Sequence, residues 1–375
     1  MNSRFAAVMA LGVIAASSPP LKAQPYQGPI TITAGGTYTG NWQSLDPNTP
    51  AVTVQTTAPV VIVYSNIQSK GDLISVQPGS DLTVTDTSGT GLNPGVPGAF
   101  LGRFLTSQSA ARLVIENNDL NNTAGIYIRT PLSSSTISIR FNTVENINGR
   151  ASTGSGYATR DNGGLGVNLV QFVQFDNVVA PAAEIAWNQV INDPYVSRVE
   201  DNISIYRSCG SAAAPIDIHD NFIHGGYPGA PGTDDYSGGG IIEEGTDACF
   251  VNVHDNQIIE TTNYGLAIAG AHDNNLYSNT LMGIGLLSNG VIEPSQNVGG
   301  YVSSAAYNNT VHDNRAGWYN QNGDDNTWYP RSPCDSSCFY NNTSLIPFTQ
   351  ADEDAQFNVW NDKLANNGIV IGVRQ

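Results

Sequence analysis

One short pattern recurs along most of this chain. An apolar-alternating run closes on asparagine: VIENN at Asn118, SIRFN at Asn142, EIAWN at Asn188, DIHDN at Asn221, NVHDN at Asn256, NLYSN at Asn279 and TVHDN at Asn314. Weaker copies end at Asn66 and Asn342, so 276 residues hold eight steps with a mean spacing of 34.5. A period in this range marks a solenoid, in which each repeat packs on its neighbours. The step from 142 to 188 is longer and reads as a doubled or loop-expanded coil.

A second run accompanies the first: GIYIRT from Gly125, NISIYRS from Asn202, GIIEEG from Gly240, GLAIAG from Gly265 and GYVSSA from Gly300. Each coil therefore offers at least two short strands. Two-residue Asn-Gly hairpin turns between them are missing, so each strand is expected to pair with its equivalent one coil away, in parallel. Period-two alternation turns Ile115, Ile139, Ile185, Ile218, Val253, Leu276 and Val311 inward. The residues on either side of that row face outward and form ladders. The marker asparagines are expected in left-handed turns, hydrogen-bonded from coil to coil.

The ends differ from the middle. Residues 1–23 read as a secretion signal, with Arg4 before an apolar run from Phe5 to Ala16 that is too short for a membrane span. Residues 24–348 form the solenoid. From 349 to 375 the pattern becomes helical, with Thr349 as N-cap, Phe357, Trp360 and Leu364 on one face, and Gly368 at the end. This reads as a helix over 349–367 that caps the open end of the solenoid, followed by a final strand.

Composition narrows the function. The formal charge is −17, and lysine occurs only at 22, 70 and 363. Nucleic acid is excluded as a partner, because phosphate neutralisation needs clustered Lys and Arg. Polyanionic sugars need local arginines or cations here. No later segment is long and apolar enough to cross a bilayer, so export is expected to deliver a secreted or periplasmic protein. Four cysteines in an exported chain point to disulfides, with Cys209–Cys249 and Cys334–Cys338 the favoured pairs.

The Asn-x-Ile markers and Gly-Ile-Tyr-Ile strands resemble the right-handed parallel β-helix superfamily, which includes pectate lyases, polygalacturonases, alginate lyases and epimerases. The resemblance covers about 60–345. The stretches GNWQSLDPNTPAV at 40–52 and SRVEDNISIY at 197–206 also resemble an uncharacterised bacterial branch of β-helix repeat proteins. It implies an all-β, right-handed parallel β-helix with a C-terminal capping helix, acting on polysaccharides. The catalytic strings of the characterised members are absent, so no catalytic residue transfers by motif.

Candidate sites must then come from chemistry. The segment 197–207 packs Arg198, Glu200, Asp201, Tyr206 and Arg207 into eleven residues of a chain that is only 13% charged. Carboxylates for acid–base work, an arginine for a substrate carboxylate and a tyrosine to stack on a sugar suit a glycan groove. The plainer reading is a surface ion pair with Asp201 capping a turn. A second set, Glu184, Asp217 and His219 with His254, lies on the outward ladder. His-Asp-Asn occurs at 219, 254, 272 and 312, however, which suits a repeat consensus. Glu243-Glu244 is third, and a bulge or loop is expected there, because an inward Glu is costly. Loops 149–166, 225–240 and 284–298 could wall a cleft. Trp318, Tyr319 and Trp328 are candidate sugar platforms, or they pin a loop to the helix. No metal site is defined, though calcium at Asp234-Asp235 or Asp324-Asp325 is a candidate. Cleavage by a lyase or hydrolase leads, with non-catalytic glycan binding and epimerisation as the alternatives.

Overall fold

The structure is a computed structural model that describes residues 25–374, apart from 130–134, 162–163, 235–236, 288–289, 294–296, 304, 321 and 330–338. The expected signal segment and the Cys334–Cys338 pair lie outside the described residues. The chain winds as a right-handed parallel β-helix with three strands in most coils, one more than the minimum read from the repeat. Asp201–Tyr206, Ile216–His219 and Phe222–Gly226 form one such coil. Stacked coils build three parallel sheets. Among the described residues the first contains eleven strands, from Ile30–Ile32 to Trp328–Tyr329. The second and third run beside it and meet in the long strand Thr310–Trp318, whose halves pair with both.

The interior follows the alternation. Ile115, Ile139, Ile185, Ile218, Val253, Leu276 and Val311 are all buried, in register from coil to coil. The marker asparagines form a ladder inside the turn between the second and third sheets. Each Nδ2 donates to the next Oδ1, from Asn118 through 142, 188, 221, 256, 279 and 314 to Asn342, at 2.8–3.0 Å. The left-handed residue is not the marker but the one before it: Asn117, Phe141, Trp187, Asp220, Asp255, Ser278 and Asp313. That conformation turns the chain and lets the marker side chain point inward to neighbouring carbonyls. Asn66 is one residue out of this ladder. It aligns with Ser88 and Asp119, and its side chain bonds Asn41 at the surface. Asn221→Ala should leave partners in two coils unsatisfied and cost about 2 kcal/mol, read as a lower denaturation midpoint.

The 142–188 step is a single coil enlarged by a loop, since Thr143–Glu145 leads to Val173–Asp176 and then Glu184–Ala186. Cys209 and Cys249 are bonded across successive coils, with Cα atoms 4.6 Å apart.

The C-terminal helix forms as two segments, α1 (Gln350–Asp354) and α2 (Gln356–Asn367). Thr349 and Asp352 close a capping box, and Gly368 is left-handed. Its position differs from the expected end cap. Trp360 is fully buried against Phe222 and Trp187, at 5.8 and 6.2 Å, and donates to Gln189. Lys363 pairs with Asp220, and the tail runs on until Arg374 reaches Asp86 at 2.7 Å. The helix and tail thus strap the flank of the third sheet. Apolar residues on that outer face drive this placement, because Phe222, Ile259 and Met282 would otherwise lie bare. Among the described residues no strand follows the helix.

Candidate functional site

The outer faces of the sheets carry two different constellations. On the second sheet, His219, His254, Tyr277 and His312 stack ring on ring, 4.7–5.5 Å apart and within 10° of parallel. In each His-Asp-Asn string the Asp is left-handed and its carboxylate holds the imidazole Nδ1 at 2.6–2.8 Å. The motif is thus a packing unit: the His lies outside, the Asp clamps it, and the Asn enters the turn ladder in three of the four copies. His272 is the exception in place, since it lies in the turn row with Cys249. Glu184 bonds His219 at 3.1 Å and Arg140 at 3.0 Å, while Asp217 bonds His254 at 3.0 Å. Burial works against the His219 cation, but hydrogen bonds to Asp220 and Glu184 outweigh it and raise its pKa to about 9. Glu184, Asp217 and His219 are therefore committed to a charged lattice on a different sheet from the 197–207 cluster.

The first sheet gathers the second constellation. At its core-facing side Gly240 and Gly265 point inward, since a Cβ on Gly240 would meet Ile258 at 2.8 Å and one on Gly265 would meet Leu281 and Trp318 at 3.4 Å. Their neighbours Ile241 and Leu266 are also in the core. Strict alternation is broken here, and Asp201 and Tyr264 emerge on the outer side with Ile242, Ala267 and Tyr301.

Asp201 and Tyr264 stand two coils apart in one row, with Gly239 between them. Tyr264 OH donates to Asp201 Oδ1 across that gap. A Cβ on Gly239 would sit 2.5 Å from both Asp201 Oδ1 and the Tyr264 ring, so glycine is what lets the pair meet. Burial raises the Asp201 pKa to about 7; the Tyr264 hydrogen bond opposes this and the charges of Glu200 and Glu244 add to it. Burial, then the Asp201 carboxylate, pushes Tyr264 well up, and the same two causes raise Tyr301 to about 12. Tyr301 meets Tyr264 edge-on at 5.4 Å. Gly239→Ala is expected to force the pair apart and lower any activity at this site by about tenfold or more, measured beside a melting curve.

The remaining cluster residues divide by role. Arg198 is buried and pairs with Asp161 at 3.2 Å and Glu200 at 3.0 Å. It anchors the long loop after residue 148. Asp161 in turn accepts from the Gly229 amide, and Asp234 accepts from the Asp161 and Ala230 amides. Two of the loops expected as walls, 149–166 and 225–240, are thus tied together at Asp161, and Ser237 donates to Glu200 at 3.2 Å next to Asp201. Tyr206 is half-buried on the outer face, aligned with Asp176 and Glu244. Arg207 is exposed and pairs with Asp247 at 2.9 Å.

Several expectations change. Glu243-Glu244 forms no bulge: both lie in the strand Gly239–Glu244, in register with Ile205 and Tyr206. Glu243 is fully buried between the core rows of Ile205 and Ile268, with no partner for either oxygen among the described residues, and burial raises it to about 8. Trp318 is fully buried in the core and offers no face to a sugar. Tyr319 stacks on Phe348 at 5.0 Å, and Trp328 packs against the core. They pin the last coil. Asp235 lies outside the described residues, the Asp234 carboxylate caps backbone amides, and Asp325 holds Thr327. Among the described residues no three His, Cys, Asp or Glu side chains group to hold a metal ion.

Tyr264 and Tyr301 were missed in the sequence. Aligning the Gly-rich strands on Gly240, Gly265 and Gly299, rather than on Gly300, is the signal that puts Asp201, Gly239 and Tyr264 in one row.

No protein-family model matches the chain, and no curated protein matches it. Similar solved structures include a mannuronic acid-specific family 6 polysaccharide lyase from human gut microbiota, 10% identical with a TM-score of 0.39, covering 92% of this chain and 91% of that one. Another is the family 6 polysaccharide lyase of Pseudopedobacter saltans, 12% identical with a TM-score of 0.38, covering 92% and 86%. What the fold itself defines is an all-β, right-handed parallel β-helix with a C-terminal helix.

Proposed function

We propose that this is a secreted carbohydrate-active protein that cleaves an extracellular polysaccharide on the outer face of the first sheet, around Asp201. The observation that carries the reading is the Asp201–Tyr264 pair. A buried carboxyl that keeps its proton to about pH 7 is a proton donor for a glycosidic oxygen. Glu200, ion-paired with Arg198, and half-buried Glu244 supply carboxylates beside it. Two carboxyls with different environments suit hydrolysis. The arginines of this face are already engaged: Arg129 with Asp176 at 3.6 Å, Arg198 with Asp161 and Glu200, and Arg207 with Asp247. A uronate carboxylate would compete with these acids, so a neutral glycan fits better. Tyr206 and Tyr301 give the ring faces on which a sugar can stack.

A panel of neutral and acidic polysaccharides tests this, with new reducing ends and ultraviolet absorbance of unsaturated products read in parallel. Reducing ends from a neutral glycan without unsaturation are expected. Unsaturated products would replace hydrolysis by elimination. Binding without cleavage would favour the glycan-binding reading, for which the stacked His and Tyr ladder of the second sheet is the natural surface.

A further inference from the structure

A cleft of about 310 Å³ lies between the outer face of the third sheet and the C-terminal helix, on a different sheet from Asp201. Its walls are Phe222, Ile191 and Ile259 from the sheet and Phe357 from α2, with Phe222 and Phe357 meeting edge-on at 5.7 Å. This volume is at the low end of small-molecule sites and suits a single ring. Apolar walls of this kind favour a flat hydrophobic face.

The polar groups in the cleft are few. His224 is partly exposed, and its Nε2 is held at 3.2 Å by Glu260, a buried carboxylate on the next coil. That leaves Nδ1 to meet a ligand hydroxyl. Glu353, buried at the base of α1, already accepts from the Ile284 amide at 2.9 Å and from Gln350 at 3.1 Å. Asp354 is at the rim, and among the described residues no Lys or Arg lines the cleft. A carboxylate ligand would face the acids Glu260 and Asp354 with no Lys or Arg among the described lining residues to meet it.

We infer that this cleft binds a small, uncharged aromatic alcohol, a phenolic ring held between Phe222 and Phe357 with its hydroxyl on His224. The helix supplies one wall, so the site exists only because the C-terminal strap lies on the flank.

Ligand-detected NMR titrations of the full chain with phenol and with benzoate decide the matter. Saturable phenol binding is expected, with a dissociation constant on the order of millimolar for so small a ligand, and benzoate should bind at least about tenfold more weakly. Phe357→Ala should weaken phenol about 3- to 10-fold, and His224→Leu by a similar factor. Phe357 is 42% exposed, so its removal leaves the fold in place even if the His224 variant melts early. Absence of saturable phenol binding, equal binding of benzoate, or phenol binding unchanged in Phe357→Ala would overturn the inference.

Discussion

Asp201→Asn should remove about 10²- to 10⁴-fold of the turnover on a cleaved polysaccharide while shifting stability by no more than about 1 kcal/mol. The amide keeps an oxygen for the Tyr264 hydroxyl and fills the same space, so the buried pair survives. What it lacks is the proton that the burial of Asp201 holds to about pH 7. Tyr264→Phe provides the complement. It removes the hydrogen bond that opposes the upward shift, so the alkaline limb of the pH–rate profile, set by loss of the Asp201 proton, should move to higher pH while the carboxyl stays. Full turnover in Asp201→Asn on an identified substrate would place the chemistry elsewhere.

Glu243→Met is expected to stabilise the protein by about 1–3 kcal/mol, the cost of burying a polar group without a hydrogen-bond partner. The gain should grow with pH. Glu243 has its folded pKa raised from 4.5 to about 8 by burial, so the folded state holds a proton that the unfolded state loses from about pH 4.5 upward. Stability therefore falls with rising pH until about 8, by on the order of 5 kcal/mol for this group. Asp201 and Glu353, raised to about 7 and about 8, act in the same sense. His219 does too: its contribution is complete below its unfolded value of 6.5 and is lost as pH passes about 9. In the other direction Glu184, lowered first by its bond to His219, and Asp86, lowered first by Arg374, lose their contribution as pH falls below about 4. Maximal stability should thus lie near about pH 4–5. Denaturant unfolding of both proteins at pH 5 and pH 9 tests this, and an equal gain at the two pH values, or a parent protein more stable at pH 9, would refute it.

The fold was legible because a solenoid writes its period into the chain. The inward row from Ile115 to Val311 and the asparagine ladder follow from a fixed offset of three residues, and each coil repeats the message. The disulfide Cys209–Cys249 was readable for the same reason, as two half-cystines in equivalent places. The site was only half legible. Charge density drew attention to 197–207, yet Arg198 proved to be an anchor for a loop, which no local pattern announces. Asp201 gains its character from Tyr264, 63 residues on, across a glycine whose only signal is the lack of a side chain. The cost of an inward Glu243 argues for a bulge, but pairing on both sides holds the strand in register and the carboxyl takes the penalty by keeping its proton. Trp318 shows the limit of reading aromatics near a loop as surface: it closes the core of the last coils.

The strap along the third sheet has a consequence for how the molecule comes apart. A stack of coils joined only to their neighbours behaves as a one-dimensional chain of units, free to fray from either end one unit at a time. Here Arg374 meets Asp86 across 288 residues of sequence, and Trp360 and Lys363 grip coils in between. Loosening one of these gripped middle coils must also loosen the tail, which loosens the others it touches. Nearest-neighbour coupling is thereby supplemented by a brace spanning many units. The braced stretch should give a single sharp transition, with gradual melting confined to the coils before Asp86.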